Sequence, residues 1–154
     1  MAKILNEVWG AANPITVRAS AVLLGASAWD VAPTEFSVAG VSDITLYVTY
    51  TRAGAGGAVD MQVQASPYSV DVGGVQSWFA QSLFAAAALA AGADSQSRVQ
   101  REYVTYTSTA AGAETFVYGP IDVESVERLR VACREPAGGA PATPGTVHIV
   151  AVAT

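Results

Sequence analysis

The sequence predicts an all-β protein, an antiparallel β-sandwich or jelly roll of about eight strands with an extended N-terminal arm. Apolar and polar residues alternate in short runs along most of the chain, as in Ser42–Thr51 (SDITLYVTYT). A period of two places the two sets on opposite faces of a strand. Gly, Pro, Asp and Ser separate these runs at short spacing, and no long amphipathic helix pattern interrupts them.

The N-terminal residues 1–15 (MAKILNEVWGAANPI) show no clear period, and Asn13-Pro14 marks a break before the first strand-like run. They predict either an arm that lies on a neighbouring subunit or a simple tethered terminus. We predict an arm over residues 1–15 and one β-sandwich domain over residues 16–154. The apolar side chains of the arm are predicted interface residues: Ile4, Leu5, Val8 and Trp9.

The first half of the domain contains the clearest local signal. Thr16–Leu24 is a β-branched and apolar run, and Phe36–Ala39 is a short strand or part of the next turn. Ile44–Thr51 and Val59–Ser66 both alternate, and they flank a Gly-rich connector of moderate length. Two such runs around a short connector predict a β-hairpin.

The next stretch is less regular. Trp78–Phe84 has the alternation of a strand. Ala85–Ala91 has high helix propensity, but a helix this short is marginal alone, and Gly92 ends it. Ser97–Thr107 returns to strand character without indicating which side is buried, and Glu114–Tyr118 predicts a short strand that ends before Gly119-Pro120.

Two strands close the chain. Ser125–Glu135 predicts a strand with one buried and one outward set. The buried set is Leu129, Val131 and Cys133; the outward set is Arg128, Arg130, Ala132 and Arg134. Gly145–Thr154 is apolar on both faces, which is typical of a central strand.

Composition narrows the function classes. The chain is 51% hydrophobic and 14% charged, against about 25% charged in an average domain. Either part of the surface is covered by another molecule, or Ala and Thr occupy an ordinary sandwich surface. A net charge of −5 argues against a general nucleic-acid binder and against an anionic membrane surface as partner. No apolar run is long enough to span a bilayer, and the run after Arg18 is too short for a secretion signal.

The sequence contains few side chains of the types that act in catalysis. His148 is the only histidine and lies in an apolar strand, and Cys133 is the only cysteine and has buried parity. These two residues predict structural roles, with no disulfide and no cysteine-based zinc site. A glycosidase needs two carboxylates across a cleft, and the scattered acids of this sequence do not specify such a pair. A calcium site in the loops at Asp43, Asp60 and Asp71 remains an alternative, although the sequence has no EF-hand spacing. We therefore expect no enzyme, with no catalytic, cofactor-binding or metal-binding residues.

Two surface features have alternative interpretations. Arg128, Arg130 and Arg134 form a one-sided stripe that either docks an acidic neighbour or pairs with acids of the same chain. We include these arginines among the predicted interface residues. One alternative is a sugar-binding platform lined by aromatic residues: Trp9, Trp29, Trp78, Tyr47, Tyr68 and Tyr118. In the other interpretation, Trp29 and Trp78 serve as core or interface anchors.

Several phrases carry a family resemblance. They are VSDITLYVTYTRAGAGGAVDMQVQASPYSVD (Val41–Asp71), VQSWF (Val75–Phe79), QREYVTYT (Gln100–Thr107), FVYGPIDV (Phe116–Val123) and ERLRVACRE with PGTVHIVAV (Glu127–Val152). This texture resembles small virion structural proteins of tailed bacteriophages, often encoded among head genes. The resemblance covers most of the chain after residue 15.

The resemblance implies a head decoration (cement) or minor capsid protein, assembled in the host cytoplasm and located on the capsid surface of the virion. Its expected partners are the major capsid protein and further copies of itself, often as a trimer, with no nucleic acid, membrane or cofactor. The expected function is non-enzymatic: the protein binds and bridges capsid subunits and stabilises the head. The alternative is a carbohydrate- or receptor-binding β-sandwich module of a phage tail or fibre.

Overall fold

The computed structural model describes residues 4–5, 14–25, 28–54, 57–73, 77–81, 83–86, 98–109, 111–136 and 144–153. Within these ranges the chain forms strands and no helix, so no helix there could cross a membrane. The strands are β1 (Ile4–Leu5), β2 (Ile15–Val22), β3 (Glu35–Ser37), β4 (Asp43–Thr51), β5 (Ala58–Ser66), β6 (Phe79–Ala80), β7 (Leu83–Ala86), β8 (Arg98–Arg101), β9 (Val104–Thr107), β10 (Ala113–Asp122), β11 (Arg128–Arg134) and β12 (Thr146–Ala153). The predicted all-β class is confirmed.

Two main sheets contain most of these strands. The six-stranded sheet has the order β1-β3-β11-β5-β6, and β9 also pairs with β5. The four-stranded sheet has the order β10-β4-β12-β2, and β7 pairs with β8 in a separate ribbon. Strand pairs are antiparallel except β1 with β3. The predicted central position of the last strand is confirmed, because β12 lies between β4 and β2.

The predicted hairpin is wrong. β4 pairs with β10 and β12, whereas β5 pairs with β11, β6 and β9 in the other sheet. The Gly-rich connector therefore leads from one sheet to the other. Alternation along a run specifies which side chains face the core, but it does not specify which strand lies alongside.

Both sheets contribute to one hydrophobic core. On β4, the alternate residues Ile44, Leu46, Val48 and Tyr50 are fully buried. The inward residues of β5, β11 and β12 belong to the same cluster: Val59, Met61, Val63, Leu129, Val131, Cys133, Val147, Ile149 and Ala151. The predicted inward set of β11 is confirmed. Burial of this aliphatic surface is the main favourable term in folding.

A bulge interrupts the pairing of β10 with β4 near one end of the four-stranded sheet. The register with β4 shifts between Tyr118 and Ile121. Gly119 lies there with φ at +140°, and a Cβ on it would lie 2.9 Å from the Ile44 carbonyl oxygen. Only glycine fits such a close approach with a positive φ. After the bulge, Asp122 lies opposite Asp43.

The N-terminal strand is attached to its own chain. Ile4 and Leu5 of β1 pair in parallel with Glu35 and Phe36 of β3. The predicted interface residues Val8 and Trp9 lie outside the described residues.

Candidate functional site

The outward residues of β11 lead to the first candidate surface. We define the arginine face as the outer face of the six-stranded sheet around Arg128, Arg130 and Arg134. Arg128 is only 2% exposed although its side chain points away from the core. Its Nη1 donates to Glu35 Oε2 at 2.7 Å, its Nη2 to Asp71 Oδ1 at 2.9 Å, and its Nε to the Tyr68 carbonyl at 2.7 Å. All three guanidinium nitrogens therefore have acceptors within the chain.

Arg134 is paired in a similar way. Its Nε donates to Asp60 Oδ2 at 2.8 Å, and the buried Asp60 also accepts from Thr105 Oγ1 at 2.6 Å. The guanidinium lies 4.3 Å from the ring centroid of Trp29 and 5.0 Å from that of Tyr103. These distances suit cation–π attraction.

Trp78 lies against the other two arginines. Its ring centroid is 4.9 Å from the Arg128 guanidinium and 4.2 Å from that of Arg130. Arg130 also donates from Nε to Gln64 Oε1 at 2.6 Å. Burial lowers the pKa of Arg130 and Arg128 lowers it further, while Glu35 and Asp71 act in the opposite direction.

The chain itself covers this face. Residues 67–73 and 77–81, which we name the covering segment, supply the Tyr68 carbonyl, the Asp71 carboxylate and the Trp78 ring. At the end of the covering segment, the backbone N–H of Gln81 donates to the Val63 carbonyl at 2.8 Å, and β6 pairs with β5. The covering segment therefore holds Arg128 between a strand and a loop of the same molecule.

For the arginine stripe, the sequence left external docking and internal pairing open, and internal pairing is observed for Arg128 and Arg134. Contact of Arg128, Arg130 and Arg134 with another molecule stays a prediction. Sequence reasoning missed Glu35 as a partner, because it lies 93 residues from Arg128. No local spacing signals such a pair.

The outer face of the four-stranded sheet is different. The part of it between the pair Asp43 and Asp122 at one end and Thr51 at the other contains no Asp, Glu, Lys or Arg, and we name this part the uncharged face. Its members are Thr16, Val22, Thr45, Tyr47, Thr49, Thr51, Ala113, Thr115, Val117, Thr146, His148, Val150 and Val152. Large apolar groups are exposed here: Val22 at 56%, Tyr47 at 44% and Val117 at 57%.

Register aligns these residues in rows across the sheet. Val117, Tyr47, Val150 and Thr16 lie side by side on β10, β4, β12 and β2. The next row contains Thr115, Thr49 and His148, with the Thr49 and Thr115 hydroxyls 3.3 Å apart. A further row contains Ala113, Thr51, Thr146 and Val22. The face is bounded at its other end by Asp43 opposite Asp122.

This surface could have been partly anticipated. The outward residues of Ile44–Thr51 are all Thr or Tyr, and the last strand is apolar on both sides. The overall shortage of charge also left a covered surface open as one of two interpretations. The sequence did not reveal the strand order β10-β4-β12, and this order is what joins the outward residues of the three strands into one face.

The remaining chemical candidates have structural surroundings. Cys133 is fully buried, and burial raises the pKa of its thiol to about 12. His148 is half-buried in the middle of the uncharged face. Asp60 and Asp71, two of the candidate calcium ligands, are ion-paired with arginines. In the described part of the chain, no group of three or more His, Cys, Asp or Glu side chains could hold a metal ion.

A shallow cleft of about 270 Å³ lies beside β2, lined in part by Arg18, Asp30, Leu24 and Val31. Arg18 donates to both oxygens of Asp30, at 2.9 and 3.1 Å, and to the carbonyls of Ala21 and Val147. The charged side chains of this cleft, Arg18 and Asp30, are therefore paired with each other.

Comparison with protein-family models, with curated proteins and with solved structures finds no match to this chain.

Proposed function

We propose that this chain is a non-enzymatic structural protein of a tailed-bacteriophage virion, a head decoration or cement protein that binds and bridges major capsid subunits. The observation that carries the proposal is the uncharged face, which exposes Tyr47 and Val117 on a four-stranded sheet. Depletion of charge together with exposed aromatic and aliphatic groups is characteristic of the centre of a protein–protein interface. The phrase-level resemblance to phage head proteins supplies the virion context.

Within the all-β class, we propose a β-sandwich of the jelly-roll kind. The core shared by the two main sheets supports this arrangement. Two layers with buried inner faces leave two outer faces for contact with other molecules.

Affinity on a capsid comes from repetition. A protein that contacts several equivalent subunits converts weak individual contacts into tight attachment, because later contacts form at high effective concentration. The predicted N-terminal arm, with Ile4, Leu5, Val8 and Trp9, would add one such contact. In the arginine stripe, the partly exposed Arg130 and Arg134 would add another where they meet acidic groups.

The carbohydrate-binding alternative depends on an aromatic platform, and Trp29 and Trp78 are its two tryptophans in the described part of the chain. Both rings are packed against arginine side chains of the same molecule. The uncharged face therefore supports the docking proposal more strongly than these rings support sugar binding.

The test is to separate intact particles from unassembled protein by density gradient, in lysates of infected cells that produce the chain. Mass spectrometry and electron cryomicroscopy of the particle fraction are expected to show the protein at a fixed copy number on the capsid surface. Recovery only in the unassembled fraction would contradict the proposal. Deletion of residues 2–12 is expected to reduce capsid occupancy, and unchanged occupancy would remove the arm from the mechanism.

A further inference from the structure

We propose that the Glu135 carboxyl group is a pH switch: its protonated form keeps one end of the hydrophobic core closed, and its ionised form opens that end. Glu135 directly follows β11 and continues the buried alternation of Val131 and Cys133. Its exposed fraction is 1%, although glutamate is almost never fully buried without a partner. This inference is independent of what the uncharged face binds.

Glu135 lies at the last layer of the core, where β4 and β11 end and β5 and β12 begin. Tyr50, the last inward residue of β4, is fully buried in this layer. A Cβ on Gly57 would collide with Tyr50 Oη, and a Cβ on Gly145 would lie 2.7 Å from the same atom. Because the backbone lies directly against the phenol, a change in this layer moves the connectors that precede β5 and β12.

Polar atoms in and beside this layer are buried without a hydrogen-bond partner in the described part of the chain. They are Tyr50 Oη, Glu135 Oε1 and, just beyond β4, Arg52 Nε. A buried polar group without a hydrogen bond costs free energy, and an ionised carboxylate in such surroundings costs far more than a neutral acid. The neutral carboxylic acid is therefore the form of Glu135 that the closed layer accommodates.

The charged groups on the neighbouring elements have partners of their own. Asp60 of β5 is paired with Arg134, and Asp30, beside the end of β11, is paired with Arg18 of β2. The inward residues of β12 in the core are apolar: Val147, Ile149 and Ala151. Among the described residues of these elements, none therefore supplies a cation to Glu135.

The remaining titratable groups near this layer belong to β4, β9 and β10. Burial raises the pKa of Tyr50, the charge of Glu135 raises it further, Arg52 lowers it and Glu114 of β10 raises it. Tyr106 of β9 is hydrogen-bonded to Glu114. Burial also raises the pKa of the Glu135 carboxyl group. The electrostatic and geometric observations therefore agree that the folded chain favours the protonated form.

Closure of this end depends on pH because the pKa of Glu135 is higher in the folded chain than in an unfolded one. The protonated group contributes its full stability below the ordinary glutamate pKa, and this contribution is lost as pH rises through the raised pKa. Between the two pKa values, each pH unit increases the equilibrium constant for opening by up to about tenfold. Opening lets water reach the carboxylate.

The first test is an NMR titration of the full chain with ¹³C-labelled glutamate, in which Glu135→Gln identifies the signal of residue 135. The Glu135 carboxyl group is expected to titrate above the ordinary glutamate range. Titration within or below that range would overturn the inference. This measurement is made on the wild type, so it holds even if the variant folds poorly.

The second test compares thermal unfolding of the wild type and Glu135→Gln from pH 4 to pH 8. Glutamine resembles the neutral acid in shape, so the two midpoints are expected to agree near pH 4. As pH rises, the wild type should fall progressively below the variant. The matched control is Glu127→Gln, because Glu127 is exposed and immediately precedes β11; it should follow the wild type at every pH. A constant difference between Glu135→Gln and the wild type would refute the switch.

Hydrogen exchange locates the opening. In the wild type, amide protons at the end of β4 and the start of β12 are expected to lose protection by up to about tenfold per pH unit, after correction for intrinsic exchange. Amide protons in the middle of β5 should not show this loss. Equal behaviour of the two regions would show that Glu135 does not control this end of the core.

Discussion

On the six-stranded sheet, three arginines point outward and the chain folds over them; on the four-stranded sheet, the side chains of the uncharged face carry no charge and include the exposed Val22, Tyr47 and Val117. Arg128 is 2% exposed and has two acidic partners, whereas Val117 is 57% exposed. A buried guanidinium must be neutralised and hydrogen-bonded within the fold, because an unpaired buried charge is very costly. Threonine, valine and tyrosine impose no such demand, so the second face stays available for another molecule.

The largest loss of stability is expected when a buried charge is removed from the arginine face. Arg128→Ala leaves Glu35, whose side chain is 6% exposed, without its cation. Removal of one partner of a buried pair costs about 3–5 kcal/mol of unfolding free energy. Urea denaturation followed by circular dichroism measures this loss.

The matched control for Arg128→Ala is Arg130→Ala on the same strand and face. Arg130 donates from Nε to the neutral Gln64, so its removal is expected to cost about 1–2 kcal/mol. Equal losses for the two variants would show that the buried ion pair is not what distinguishes Arg128.

A smaller loss of stability is expected when the covering segment is changed. Trp78→Ala removes the ring that contacts the Arg128 and Arg130 guanidiniums. Each cation–π contact contributes about 0.5–2 kcal/mol, so the expected loss is about 2 kcal/mol. Trp78→Phe should retain part of this stability in thermal unfolding. A fully stable Trp78→Ala variant would mean that the covering segment does not hold the arginine face together.

The smallest effect is expected on the uncharged face. Val117→Thr keeps a β-branched side chain at an exposed position, so its unfolding free energy should match the wild type within about 0.5 kcal/mol. Urea denaturation measures this difference. A loss above about 1.5 kcal/mol would show that Val117 packs within its own chain, and the contrast between the two faces would fail.

The sequence predicted the positions of β4 and β11 well because burial on one side imposes alternation, but it ended β10 too early, at Tyr118, and merged β6 with part of β7. Ile44–Thr51 and the inward set of Ser125–Glu135 match β4 and β11 closely. Strand partners were not predictable in this way, and the hairpin between β4 and β5 was therefore wrong. Alternation is a property of one strand, whereas pairing depends on contacts between distant parts of the chain.

The candidate surfaces show the same limit. Outward parity of Arg128 was predicted, but its burial was not, because that depends on Glu35 and on the covering segment. The uncharged face was also hidden, since Val117 and Tyr47 become neighbours only through the pairing of β10 with β4. The local sequence determines whether a side chain points toward or away from the core. It does not determine which segments cover that side chain or which residues lie beside it.

Chemical labelling of one engineered thiol tests the central claim most directly. Cys133 is buried, and burial raises the pKa of its thiol to about 12, so the native wild type is expected not to react with a thiol reagent near neutral pH. Thr49→Cys then reports on the centre of the uncharged face, and Ser125→Cys, at an exposed position outside it, is the control. We predict that labelling at residue 49 slows when the protein is bound to capsid particles, while labelling at residue 125 changes much less. A rate at residue 49 that is the same for the free and the particle-bound protein would contradict the account.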